Sequence, residues 1–255
     1  MKKLLTAVLC AALCVGTVAA LPLGFAGCGD DNTIVVGYTI YEPMNYMENG
    51  ELTGHDTELA QLVLGDMLGY NVEFREIQWD YKVMELESHN IDVIWNGMTI
   101  TDELKESILI SESYMVNQQV LVAPTDELAD YADTSDLVGI TVAVESGSAA
   151  DNLVSDIDGI VDGDINRAAS QAAALMEVGA GTSDAAVIDI TMAQSMTGEG
   201  TNYANIGYKD VGFPEELYGV GMRKDDTELC NKINEALAEL EAKGTLDELY
   251  QKYLG

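Results

Sequence analysis

Ile91-Asp92-Val93-Ile94-Trp95-Asn96-Gly97-Met98-Thr99-Ile100-Thr101-Asp102 begins as an apolar, β-branched run and ends in a short loop that leads into a helix. Ile91 to Trp95 has the composition of a strand buried on both faces, as in a parallel sheet. Gly97 to Thr101 then forms the turn, and the helix starts at Asp102. A loop in that position turns its backbone N–H groups and the Thr99 hydroxyl toward any ligand at the end of the strand. The plainer reading makes Gly97 a turn residue and Thr101 a helix N-cap.

The same alternation continues on both sides. Ile34 to Val36 reads as a strand, Thr57 to Leu68 as a helix with Leu59, Leu62, Val63 and Met67 on one side, Asn71 to Ile77 as a strand and Asp80 to Ser88 as a helix. A second set begins after Pro124: Gly139 to Val144 as a strand, Ser148 to Asp156 as a helix, the stretch Gly159 to Ile165, the Ala-rich helix Ala168 to Val178, and the strand Ala185 to Ile188. Two helices close the chain, Thr227 to Lys243 and Thr245 to Leu254, separated by Gly244. Strands that alternate with helices in this way give an α/β fold with parallel pairing.

Composition narrows the function. The 255 residues are 47% hydrophobic and 22% charged, so the chain folds. With 12 basic against 44 acidic residues the net charge is −32, which repels phosphate backbones and argues against nucleic acid as a partner. His55 and His89 lie far apart with no cysteine nearby, so neither a metal centre nor a catalytic triad is expected, and no cofactor is implied. Cys230 reads as a packing residue of the first closing helix.

The N-terminus reads as an export signal. Lys2 and Lys3 precede an uncharged apolar stretch from Leu4 to Ala20, and Phe25-Ala26-Gly27-Cys28 is followed at once by polar residues. Pro22, Gly24 and Gly27 disfavour a helix there and set this reading above an uncleaved anchor. Phe25-Ala26-Gly27-Cys28 resembles a bacterial lipobox, with Phe25 where an aliphatic residue is usual. The resemblance implies that residues 1–27 are removed, that Cys28 carries the lipid, and that residues 28–33 form a tether to the membrane.

From Ile34 to Gly255 seven segments, in order, resemble the polar amino acid-binding family of extracytoplasmic solute-binding proteins of ABC importers. They are Tyr41-Glu42-Pro43-Met44, Gly54-His55-Asp56-Thr57-Glu58-Leu59-Ala60, Ile91 to Thr101, Ser111-Glu112-Ser113-Tyr114, Glu145-Ser146-Gly147-Ser148, Asp184-Ala185-Ala186-Val187-Ile188-Asp189 and Gly244-Thr245-Leu246-Asp247-Glu248-Leu249-Tyr250. The resemblance implies a type 2 periplasmic-binding-protein fold: two α/β lobes, 34–121 with 219–255 and 124–217, joined by a two-strand hinge near Val122-Ala123 and Tyr218. It implies a monomer that binds a small-molecule ligand by lobe closure and hands it to a permease and its ATPase. A cleft enzyme of the dehydratase type on the same fold, with Glu145 as acid, and a sensory input to a signalling partner are the other readings.

Carried over by motif, the ligand contacts would be Tyr41 and Trp79 as aromatic walls, Gly97, Met98 and Thr99 in the first lobe, and Glu145, Gly147, Ser148 and Asp189 in the second; Tyr38, nearby on the same segment as Tyr41, is a further candidate. Asp189 matches an acid that pairs with an α-amino group, although a helix N-cap role is also compatible with its position. Glu42, Tyr114, Asn117 and Gln119 are further candidates, and Trp95 reads as core. Leu104 stands where the family carries an arginine for the α-carboxylate, which an alkyl chain does not replace. Lys105 is next to it, but one helical step turns a side chain by about 100°, away from the cleft. An acid at Glu145 and no arginine at Leu104 together favour a cationic, amine-bearing ligand.

Overall fold

The computed structural model describes residues 32–255; the expected signal peptide and Cys28 lie outside the described residues. Two mixed sheets organise the protein. The first has the strand order Asn71–Glu76, Thr33–Tyr38, Val93–Ile94, Gly221–Met222, Leu109–Ile110, and the second Ile206–Lys209, Met115–Pro124, Ala185–Asp189, Val142–Glu145, Ile165–Ala168. In each, the strands followed by helices pair in parallel: Thr33–Tyr38 with both Asn71–Glu76 and Val93–Ile94, and Val142–Glu145 with both Ala185–Asp189 and Ile165–Ala168. Such strands are buried on both faces, and Val36, Val93, Ile94, Val142, Val144, Val187 and Ile188 have no exposed surface. This is the two-lobed α/β architecture expected from the sequence.

The lobes join through Met115–Pro124, whose ten residues serve two ladders. Its first half pairs antiparallel with Glu215–Tyr218, from Met115 with Tyr218 to Gln118 with Glu215. Its second half belongs to the second sheet, where Val122 faces Ala186 and Tyr208 and Ala123 faces Gly207. The crossing therefore lies at 115–118 and 215–218, earlier than the expected Val122-Ala123. Both residues of that pair are fully buried and are paired within the second sheet, Val122 on both sides with Ala186 and Tyr208 and Ala123 on one side with Gly207.

Local differences have local causes. Thr33, assigned to the tether, already pairs with Asn71 in the first sheet. The helix expected from Ala168 starts at Gln171, because Ser170 accepts a hydrogen bond from the Ala173 N–H as its N-cap while Ala168 pairs with Glu145. The stretch Gly159 to Ile165 contains a 3-10 turn over Asp162–Asp164, and a strand, Ile165–Ala168, begins at its end. The helix read from Thr57 to Leu68 runs as α-helix over His55–Ala60 and widens into a π-helix over Gln61–Met67. Thr227–Lys243 and Thr245–Leu254 are helices as read, with Gly244 between them at φ 77°, a left-handed conformation that ends the first. Buried Cys230 lies in the first of them. No helix among the described residues is long and apolar enough to cross a membrane.

Candidate functional site

In open α/β sheets ligands bind beyond the carboxyl ends of the parallel strands. Four such ends converge here: Thr33–Tyr38 leads to Tyr41, Val93–Ile94 to Asn96 and Gly97, Val142–Glu145 ends on Glu145, and Ala185–Asp189 ends on Asp189. Together with Trp79, Lys82, Thr99, Leu104 and the turn Gly147-Ser148, they line a cavity of about 240 Å³. That volume suits a small solute.

Asp189 is the most elaborately held group. It is buried at the N-cap position of the helix Ile190–Met196, but its side chain makes no capping hydrogen bond. The Gln171 amide clamps it instead: Nε2 donates to Oδ2, and Oε1 accepts from the Asp189 backbone N–H at 2.9 Å. Asn117 Nδ2 and Gln119 Nε2 donate to Oδ1 at 2.6 and 2.5 Å. The same two amides also reach Glu216 Oε1, at 2.6 and 2.7 Å, so two carboxylates share two donors. Burial raises the Asp189 carboxyl above its ordinary range, and its amide donors pull it back. Burial, then the Asp189 charge, pushes Glu216 up to about 8.

Glu145 completes an acidic wall. It is buried, and desolvation followed by Asp189 raises its carboxyl to about 8 against the opposing pull of Lys82. Its Oε1 has no hydrogen-bond partner among the described residues, and neither do Gln119 Oε1 and Asn117 Oδ1. The two amides have their orientation fixed, since their nitrogens face carboxylates and their oxygens must point elsewhere. The two amide oxygens are acceptors, and so is the Glu145 oxygen once its carboxyl is ionised; an unpaired buried acceptor costs about 1–3 kcal/mol. Those of Gln119 and Glu145, which line the cavity, call for a donor-rich guest.

Of the aromatic walls, Tyr41 and Trp79 line the cavity. The Tyr41 hydroxyl bonds to that of Tyr218 at 2.8 Å and to Thr191 on the second-lobe helix. Tyr38 does not line it: the strand's alternation turns its ring against Phe74, edge-on with centroids 6.2 Å apart. Trp95 is fully buried in the core. Tyr114 donates to Asp56 at 2.7 Å and stands behind the site, and Glu42 accepts from Ser195 across the lobes at 3.4 Å.

Gly97, Met98 and Thr99 line the cavity, with one correction to the expected use of their amides. The Gly97 N–H donates to Asp56 Oδ2 at 2.6 Å and is not free for a ligand. Gly97 itself is required, because φ is +56° and a Cβ would stand 2.6 Å from Tyr41 Cε1. Thr101 caps the helix Asp102–Ser107 through the Leu104 N–H. Leu104 faces the cavity, and Lys105 turns away to Asp102 at 3.2 Å. In the second lobe Ser148 caps its helix through the Asp151 N–H, and a Cβ on Gly147 would meet Asp80 Oδ1 at 2.6 Å.

Reasoning from sequence missed Lys82, Gln171, Thr191 and Glu216. Lys82 alters the charge count, because it is buried and is the single cation among the described residues that line the cavity. Its Nζ lies 4.7 Å from the Trp79 ring centre and donates to Trp79 O at 3.3 Å and, across the cleft, to Gly147 O at 2.9 Å. Its three-residue spacing from Trp79 on a helical turn was the available signal.

The model of bacterial extracellular solute-binding proteins, family 3, matches residues 34–255. The chain belongs to this family. Two Bacillus subtilis members are similar to it over nearly their full length. The arginine-binding extracellular protein ArtP is 28% identical, covering 92% of this chain and 94% of its own. The probable amino-acid-binding protein YxeM is 33% identical and covers 92% of each. Among solved structures, a substrate-binding protein of an ABC uptake transporter from Streptococcus pneumoniae with bound histidine superimposes with a TM-score of 0.78 at 31% identity, covering 88% of this chain and 93% of its own.

Proposed function

We propose that this protein is the receptor of an ABC importer, tethered outside the cytoplasm by a lipid on Cys28, and that it captures an amino acid or a related amine-bearing solute by closing its two lobes as a monomer. The observation that carries the ligand class is the acidic wall: Asp189 and Glu145 with the unpartnered oxygens of Glu145 and Gln119 around one small cavity. An ammonium or guanidinium supplies the donors and the charge that this wall lacks. The names of family members that bind arginine and histidine point the same way.

Thermal denaturation of the form lacking residues 1–27, with Cys28→Ser, tests the reading against L-arginine, L-lysine, L-histidine, their decarboxylated counterparts agmatine, cadaverine and histamine, and L-glutamate. A ligand at a hundredfold over its Kd adds about 2.7 kcal/mol of stability. Stabilisation by one or more of the amine-bearing cationic compounds and not by glutamate is expected; stabilisation by glutamate alone, or by none of them, sinks the reading. The cleft-enzyme alternative draws on one observation, the Glu145 carboxyl near 8, which suits a general acid at neutral pH. Conversion of a bound compound, followed by NMR, would favour it over the receptor.

A further inference from the structure

Lys82 is the least explained charge in the protein. A buried ammonium is costly unless a counter-ion or a full set of acceptors compensates it. Lys82 forms no ion pair among the described residues, and its two hydrogen bonds go to neutral carbonyls, Trp79 O and Gly147 O. An ammonium has three donors, so one remains. Burial lowers its pKa while Glu145, Asp80 and Glu103 hold it up, so the charge is sustained by acids it does not touch. Across the same cavity Glu145 presents an unpartnered carboxyl oxygen. The cavity is thus polar in both senses, short of a donor at Glu145 and Gln119 and short of an anion at Lys82.

We propose that Lys82 is a specificity-determining residue that binds an anionic group of the ligand, so that the cavity selects a zwitterion over a simple amine. This rests on the receptor reading above and narrows its ligand class to amine-bearing carboxylates. The same ammonium bonds Gly147 O from the other lobe, so a ligand carboxylate at Lys82 is held where the lobes meet. Leu104 lines the cavity beside it and supplies only apolar surface. Charge recognition on the first-lobe side therefore depends on Lys82.

The test is calorimetric titration of wild type, Lys82→Met and Lys82→Arg with each amino acid and its decarboxylated counterpart: L-arginine and agmatine, L-lysine and cadaverine, L-histidine and histamine. A charge-assisted contact corresponds to about 10- to 100-fold in affinity. Wild type should prefer the amino acid in whichever pair binds, Lys82→Met should lose that preference by weakening the amino acid more than the amine, and Lys82→Arg should restore most of it. Equal binding of both members by wild type overturns the role of Lys82 and leaves the receptor intact. Equal weakening of both by Lys82→Met overturns it too, since that is the signature of a contact that only ties the lobes. Binding of none of the six overturns the amine-bearing ligand class itself, and the role of Lys82 with it.

Discussion

Raising the pH from 6 to 8 should tighten the binding of a cationic ligand group, because below about 8 the Glu145 carboxyl holds a proton that the ligand must displace. Burial is the main cause of that elevation, Asp189 adds to it, and Lys82 opposes it. While the carboxyl is protonated in the empty protein and ionised in the complex, affinity changes about tenfold per pH unit, or about 1.4 kcal/mol. Two units below its pKa the loss approaches about 100-fold. Glu216, also near 8, adds to the slope to the extent that the ligand reaches it through Asn117 and Gln119. Glu145→Gln keeps the shape and removes the titration, so its slope should fall by about one proton. The sign for stability is the reverse. An acid whose folded pKa lies above its unfolded value favours the fold below the unfolded value, and that support is lost as pH rises through the folded value. Glu145→Gln should therefore stabilise the ligand-free protein at pH 8 and not at pH 5. Calorimetry at pH 6, 7 and 8 in two buffers of different ionisation enthalpy counts the released protons. Wild-type affinity that stays flat over this range, with no proton release, would refute the buried-acid argument.

Asp189→Asn should weaken binding by about 10- to 100-fold, the worth of a charge-assisted hydrogen bond; a shift of the urea midpoint with affinity unchanged would instead show that the carboxylate serves only to hold the amides of Asn117, Gln119 and Gln171. Gly97→Ala should cost about 1–3 kcal/mol in the same urea experiment, because it combines a left-handed φ with a Cβ 2.6 Å from the Tyr41 ring; an unchanged midpoint would show that the loop relaxes freely. Tyr41→Phe keeps the aromatic wall and removes the hydroxyl bonds to Thr191 and Tyr218. It should lower affinity for every ligand by a similar factor, and a change confined to one ligand would place the hydroxyl in direct contact instead.

The regular elements were legible where one pattern governed them. Ile91 to Trp95 and Ala185 to Ile188 are buried apolar runs, and Gly244 stops a helix in any context. The crossing was legible only at Tyr218, because the other strand, Met115–Pro124, has two partners. Nothing in Met115-Val116-Asn117-Gln118 marks where one ladder gives way to the next. Asp189 was legible as the residue that ends a buried strand. Its clamp was not, since Gln171 lies on a helix expected to begin three residues earlier and Glu216 on a strand with no distinctive pattern. Lys82 was hidden by a general rule that usually holds: a lysine on a short helix keeps its charge in water. Here the helix Lys82–Glu87 starts at the lobe junction, where Gly147 brings a carbonyl to meet that charge.

The placement of the acids also explains why capture would be felt at the crossing. Asn117 and Gln119 stand two residues apart on one strand, so both side chains project from the same face, and together they bridge Asp189 to Glu216. Asn117 belongs to the crossing ladder, opposite Glu216, whereas Gln119 is already in the second sheet, opposite Asp189. A cation that draws charge onto Asp189 and Glu145 changes how strongly those two amides are shared with Glu216, and so acts on the ladder that links the lobes. On the other side of the cavity, Tyr41 joins the first-lobe loop to Thr191 in the second lobe and to Tyr218 at the end of the same ladder. In the proposed receptor, binding and lobe position would be coupled through these shared hydrogen bonds. The buried polar groups of the crossing therefore belong to the recognition site as much as the residues that line the cavity.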